Sequence, residues 1–290
     1  MNVQAQTQAP PKAPELREVR GPSAVGGGPR RFFDLLWLIS TTEFKKSFHG
    51  TAFGYLWSLV RPLILFGVLL VVFTKIIRFE GEVLHYPELL LLNVVLFGFF
   101  QESTGAAVGS VLANEGIVRK TQFPRLVIPL ASVVVAFFTL LLNLVAVFAF
   151  ILLSGIDPMW TWLLLPVVLL PLVLLSTGLS LLLSALNVRF RDVALIWTVL
   201  STVLLYGSPV IYPITLQVLP NTVRDILLVN PITLILEQAR YWIIEPTAPT
   251  AVEAAGGWLH VVPATLVFIG ACILGAWVFK REAPKIAERL

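Results

Sequence analysis

Four charged side chains stand inside long apolar stretches of this 290-residue chain: Arg61, Glu102, Glu237 and Arg240. A charge placed in hydrocarbon costs about 2.5–3.5 kcal/mol even on lenient insertion scales, so each must be paired, hydrated or put to use. Arg61, followed by Pro62 near one end of its stretch, is placed to snorkel toward lipid headgroups. Glu102 precedes Gly105 and Gly109, a GxxxG spacing that permits close helix approach, and pairing within the fold is its simplest role. It is also the sole residue that keeps a proton-driven carrier open. Glu237 and Arg240, three residues apart, lie on one face of a helix and can close a salt bridge.

Other chemistries leave no signature. A phosphate-cradling GxxxxGK[ST] loop requires a lysine after a glycine, and none of the lysines, at 12, 45, 46, 75, 120, 280 and 285, follows one. His49, His85 and His260 are scattered, no HExxH motif occurs, and Cys272 is the single cysteine, so neither a metal site nor an intrachain disulfide is read. The net charge of +4 is spread over loops without the aromatic interleaving of a nucleic-acid face.

The elements that position these residues are membrane helices. Hydrophobic residues make up 57% of the chain and charged ones 13%, against roughly 25% in an average globular protein, which excludes an ordinary soluble enzyme. A span needs about 20 apolar residues, and stretches of that kind run over Leu56–Ile77, Pro87–Val111, Leu126–Leu153, Trp160–Leu186, Val193–Val210 and Trp258–Phe279. Between the last two, residues 211–245 are apolar but broken by Pro213, Pro220 and Pro231. Proline breaks leave backbone groups unpaired in lipid, so a re-entrant exterior helical hairpin shielded by protein is expected there. The fold class is therefore all-α integral membrane, with six transmembrane helices. All Lys and Arg residues except Lys75, Arg78, Arg224 and Arg240 fall on one side when the N-terminus is inside, which places both termini in the cytoplasm. Trp57, Trp160, Trp162, Trp258 and Trp277 fall at expected span ends.

Residues 31–49 interleave Phe33, Leu36, Trp37, Phe44 and Phe48 with Arg31, Asp34, Lys45 and Lys46, the pattern of an amphipathic helix lying in a membrane surface. Residues 1–30, rich in Pro and Gly, read as a disordered cytoplasmic tail, and no apolar signal region precedes Arg30. Residues 281–290 read as a short cytoplasmic tail. Asn114–Arg125 is short and basic, with Phe123 before Pro124. It reads as a topology loop or as a helix that docks on a motor subunit.

Four stretches resemble the ABC-2 type polysaccharide-export permeases: FKKSFHGTAFGYLWSLVRPLILFGVLLVVFTKI, NEGIVRKTQFPRLVIPLASV, ALNVRFRDVALIWTVLSTVLLYGSPVIYP and NPITLILEQARYWI. They occur in the family's order across residues 31–280. The resemblance implies a bacterial inner-membrane permease that exports lipid-linked polysaccharide of O-antigen, capsule, teichoic acid or galactan type. It implies a homodimer with two copies of an ATP-binding subunit, which holds ATP and Mg; no cofactor is expected in this chain. Coupling to that ATPase falls on Glu115, Arg119, Lys120, Phe123 and Arg125. A substrate channel lined by the first and fifth spans and the hairpin implicates Tyr55, Phe66, Phe73, Trp197, Tyr206 and Tyr212, although aromatic side chains at span ends also serve packing and lipid contact. Arg61 is placed to meet a lipid headgroup or diphosphate, and Glu237 with Arg240 forms a structural charge pair. An exporter of drugs or simple lipids shares this architecture without needing an aromatic track. A membrane glycosyltransferase would need exterior acidic residues, for which only Glu80 and Glu82 are available.

Overall fold

A chain immersed in lipid must satisfy its own backbone, and the helix is the local way to do so. The computed structural model describes residues 28–48, 54–76, 83–116, 124–214 and 220–285, and all regular structure among them is helical. The helices are α1 (Pro29–Phe48), α2 (Leu56–Val71, continued by a π-turn over Val72–Ile76), α3 (Tyr86–Ala113) and α4 (Val127–Leu153). After a 3₁₀ turn at Trp160–Leu164 come α5 (Leu165–Arg189), α6 (Val193–Tyr206), α7 (Asn221–Leu228), α8 (Pro231–Ile243), α9 (Ala251–Ala255) and α10 (Trp258–Glu282), then a 3₁₀ turn at Ala283–Lys285.

Five helical stretches are long and apolar enough to cross a membrane: Leu56–Ile76, Tyr86–Ala113, Val127–Leu153, Trp160–Arg189 and Trp258–Glu282. The expected fifth crossing, Val193–Val210, departs from expectation. Its helix stops at Tyr206, and its 14 residues rise only about 21 Å against roughly 30 Å of hydrocarbon. Pro209 is the cause: it offers no N–H to a continuing helix and pushes the residue before it out of helical geometry. α10 runs on to Glu282, into the residues 281–290 read as a cytoplasmic tail, and Ala283 is buried.

Burial ranks the spans. In its most apolar window α3 is 72% buried, whereas α2 is 6% and α10 11% buried. A helix that is apolar all round belongs at the centre of a bundle, and α3 presents Leu90, Leu92, Leu96, Phe97 and Phe100 to its neighbours in all directions. It packs on α4 and α5; α5 in turn carries α10, and α1 lies along α4, where Trp37 and Phe44 meet Phe138 edge-on at 5.8 and 5.4 Å. The outer faces of α2, α6 and α10 carry exposed Ile64, Val68, Leu195, Val199, Leu266 and Ile273.

The short α9 turns the chain into α10. Thr250 and Glu253 form a reciprocal capping box, the Glu253 carboxylate accepting from the Thr250 N–H at 2.9 Å and from its hydroxyl at 3.0 Å. These bonds, the backbone one first, hold the Glu253 carboxyl below its ordinary range. A depressed folded pKa contributes stability that is complete above the unfolded value of ~4.3 and disappears as pH falls through the folded one. The protection factors of the amides at residues 251–255, exchange rates normalised to the intrinsic rate at each pH, should therefore be flat from neutral pH to that value and fall below it. Protection that stays flat to about pH 2 would detach α9 from this carboxylate.

Candidate functional site

The non-helical stretch after α6 is where the backbone of this bundle is most in need of partners. Residues 207–214 leave helical geometry yet are almost entirely buried. Side chains from two helices supply what the lost helix does not. Tyr86 at the start of α3 donates its hydroxyl to the Ile211 carbonyl at 2.9 Å, and Asn93, about two turns further along the same face, donates to the Pro209 carbonyl at 3.0 Å. From α8, Glu237 accepts the Ile214 N–H at 2.8 Å. Asn230, whose carbonyl oxygen caps α8 by accepting from the Ile232 N–H, donates to the Ser208 hydroxyl at 2.7 Å. Irregular backbone at membrane depth is tolerated only under such protein cover.

The charge pair expected from spacing is present and larger than expected. Arg240 lies 3.9 Å from Glu237 and makes a second, shorter contact of 2.7 Å with Glu245. Glu237 and Arg240 are 3% and 6% exposed, so this is an interior three-charge cluster and not a surface pair. Next to it, Trp162 donates its indole N–H to the Ile243 carbonyl at 2.9 Å and Thr161 its hydroxyl to the Trp242 carbonyl, binding the 3₁₀ turn to the end of α8.

The six aromatic residues expected along a channel do not share one environment. Tyr206 and Tyr55 are exposed, and Tyr55 stacks on Phe44 of α1 at 5.5 Å. Tyr212 is half-buried and donates its hydroxyl to the Tyr206 carbonyl at 2.8 Å, so these two form a small unit at the end of α6. Phe66 is buried against Phe150 of α4, Phe73 packs on the main apolar core, and Trp197 is buried with its indole N–H on the Thr104 hydroxyl at 3.2 Å. These last three are parts of the interior.

Arg61 and Glu102, treated separately in the sequence, come within electrostatic range of each other, and Thr139 of α4 lies within hydrogen-bonding reach of the same carboxylate. Glu102 also lines a recess of about 520 Å³ between α1, α3 and α4, with Thr42, Glu43, Ala106, Asn114 and Ser132. Gly105 and Gly109 mediate no helix contact among the described residues: a Cβ at either would meet nothing within 4 Å. The close crossing is elsewhere, between Gly178 of α5 and Gly275 of α10, where a Cβ on Gly275 would overlap the Gly178 carbonyl oxygen. Ala271 and Gly275 stand four apart, a small-xxx-small signal that marks this crossing in the sequence.

Of the coupling residues, Arg119, Lys120 and Phe123 lie outside the described residues. Glu115 is half-buried just after α3. Arg125 is 5% exposed and donates to the carbonyl of Ala283 at the end of α10. Among the described residues, no three His, Cys, Asp or Glu side chains converge in a way that would hold a metal ion.

Residues 34–244, which include the spans α2 to α5 and the braced helix break, match the ABC-2 type transporter family. The chain belongs to that family. As an ABC-2 membrane protein it is a multi-pass transport component and not an enzyme. It is similar to the O-antigen export system permease protein RfbA of Klebsiella pneumoniae, 29% identical over 201 residues, covering 69% of this chain and 76% of the relative. The RfbA protein of Myxococcus xanthus is 26% identical over 218 residues, covering 75% and 83%, and the polysialic acid transport protein KpsM of Escherichia coli 25% over 210 residues, covering 68% and 76%. The ABC-2 segment so matched contains α2 to α8 and hence the braced break, Glu237 and Arg240 of the cluster, and both Arg61 and Glu102. Sequence reasoning missed Tyr86 and Asn93 as members of the brace, because what they bind is backbone far away in the chain, and it missed Glu245, which meets the Arg240 side chain from just beyond the end of α8.

Proposed function

We propose that this chain is the membrane subunit of an ATP-driven exporter that moves lipid-linked polysaccharide, of O-antigen, teichoic acid or galactan type, from the cytoplasmic to the outer side of the bacterial inner membrane. The observation that carries the proposal is the consistent naming of relatives across two thirds or more of the chain: O-antigen export permeases and a polysialic acid transport protein. The permease acts as a homodimer on two copies of a separate ATP-binding subunit, which supplies ATP and Mg. The Lys and Arg distribution supports cytoplasmic termini. The short α6 completes a sixth crossing together with a re-entrant segment over residues 211–245, and its buried, side-chain-satisfied backbone at 207–214 supports that reading.

Mechanistically, closure of the ATP-binding subunits presses on residues 114–125 and shifts the bundle, while Arg61, exposed on α2, meets the phosphate end of the lipid carrier. Tyr206, Tyr212 and Tyr55 offer ring faces on which the apolar C–H face of a sugar can rest without a deep pocket. The test is purification of the tagged chain in mild detergent. An ATP-hydrolysing subunit should copurify in equal number, and Phe123→Ala combined with Arg119→Ala should cut polysaccharide export by about 30-fold, the loss expected of an interface hot spot, with membrane insertion unchanged. Absence of any copurifying ATPase would remove the energy source and the proposal with it.

A further inference from the structure

The cytoplasmic end of the bundle contains a second, separate apolar core. Val111 of α3, Ile128 of α4, Leu181 and Ala185 of α5, and Phe279 and Ala283 at the end of α10 are all buried together there. The Arg125 guanidinium closes this cluster by donating to the Ala283 carbonyl, 158 residues away in sequence. That carbonyl belongs to the C-terminal end of a helix, where unpaired carbonyls concentrate partial negative charge and favour a cation. The connection adds to the crossing with α5 at Gly178 and Gly275, because along the 25 residues of α10 only Ala264, Gly275 and Phe279 are buried.

We propose that Arg125 is a positioning residue that pins the end of α10 to the start of α4, directly after residues 114–125, so that a push on that segment is delivered to the last helix. The inference rests on the reading of this segment as the element that meets the ATP-binding subunit. A topology loop would need no buried arginine reaching the far end of the chain. An arginine meant only to attract lipid headgroups would be exposed, and this one is 5% exposed. The pin joins α3, α4, α5 and α10 into one transmitting block, whereas α2 and α6 contribute nothing to the cytoplasmic core.

Cys272, the single cysteine, lies on α10 and reports its movement. In the complex with its ATP-binding subunit, reconstituted in vesicles, the labelling rate of Cys272 by N-ethylmaleimide is followed by mass spectrometry with and without ATP and vanadate. The parent should show an ATP-dependent change in rate. Arg125→Met should abolish that change while leaving the nucleotide-free rate and the recovery of the complex unaltered, and Arg125→Lys, which keeps a cationic donor, should restore it. Ala283→Leu, which displaces the acceptor, should lose the ATP-dependent change as Arg125→Met does. If Arg125→Met is not recovered from membranes, Ala283→Leu is compared with Arg125→Gln, which keeps a neutral donor and should retain the change.

A persistent ATP response in Arg125→Met, or a parent without any response at Cys272, overturns the inference. Phe123→Ala separates the two levels. If Phe123→Ala abolishes the response and Arg125→Met does not, only the pin falls; if both respond as the parent does, the reading of residues 114–125 as the coupling element falls as well.

Discussion

Arg240→Met should lower the stability of the protein by about 3–5 kcal/mol, the cost of removing one member of a buried ionic cluster and leaving its partners uncompensated. Arg240 stands between Glu237 at 3.9 Å and Glu245 at 2.7 Å. Its removal leaves the buried Glu237 and the partly buried Glu245 with no cation on α8, and only the charge of Arg224 on α7 left to act on Glu237. Against a typical total stability of about 5–15 kcal/mol this is a large fraction, and the chain should be recovered poorly or melt far below the parent. Glu237→Gln should cost less, about 1–3 kcal/mol, because the amide oxygen can still accept the Ile214 N–H while the charge contact to Arg240 is lost. Glu245→Gln should be the mildest, since Glu245 is the more solvent-accessible of the two acids. Thermal unfolding in detergent, followed by tryptophan fluorescence, orders the three. A melting temperature for Arg240→Met within about 1 °C of the parent would show that the cluster is hydrated and not structural. The functional consequence follows from position: the same Glu237 that faces Arg240 holds the backbone of the break after α6, so the variants that melt early should also lose export.

Gly275→Leu is expected to separate α10 from α5. The two helices meet backbone to backbone: a Cβ on Gly178 would stand 2.8 Å from the Cys272 Cα and 3.1 Å from the Ala271 carbonyl oxygen, and a Cβ on Gly275 would overlap the Gly178 carbonyl. Helices in lipid associate through such close packing because no hydrophobic gain drives them together. Neither neighbour can yield, since both are backbone, so the helices must move apart at a cost of about 1–3 kcal/mol or more. Cys272 again serves as the probe, because its thiol sits at this crossing and faces the Leu174 carbonyl at 3.6 Å. A membrane-permeant maleimide should label it several-fold faster in Gly275→Leu than in the parent, with ~1.4 kcal/mol of lost packing corresponding to about tenfold in exposure. Gly270→Leu on the same helix, where a Cβ meets nothing within 4 Å, should label at the parental rate. Equal rates in all three would mean that the crossing is looser than its geometry.

Much of the fold was legible because its signals are local. A run of about 20 apolar residues is a property of neighbouring positions, and five such runs became helices with ends within a few residues of expectation. The Glu237–Arg240 pair was legible for the same reason, three residues on a helix being one turn. The end of α6 was misplaced by four residues because apolar character continues through Val210 while the geometry stops at Tyr206, and Pro209 was the available sign. The GxxxG at Gly105 and Gly109 was legible as a motif but says only that a face is smooth; which partner fills it depends on what other helices come near. In the protomer that face borders a recess, and the glycines that touch are Gly178 and Gly275.

The sequence by itself determined the membrane class, the positions of the long helices, the absence of a GxxxxGK[ST] loop and the family resemblance, because each rests on composition, periodicity or the order of short motifs. Only the tertiary structure decided which side chains meet across the bundle. Tyr86 and Asn93 reach residues 211 and 209, Arg125 reaches Ala283, and Phe66 and Trp197 turn inward where a channel surface had been expected. The physical reason is that a polar side chain buried in such a bundle must find a hydrogen-bonding partner wherever one is near. Nearness between helices is set by their packing and not by distance along the chain.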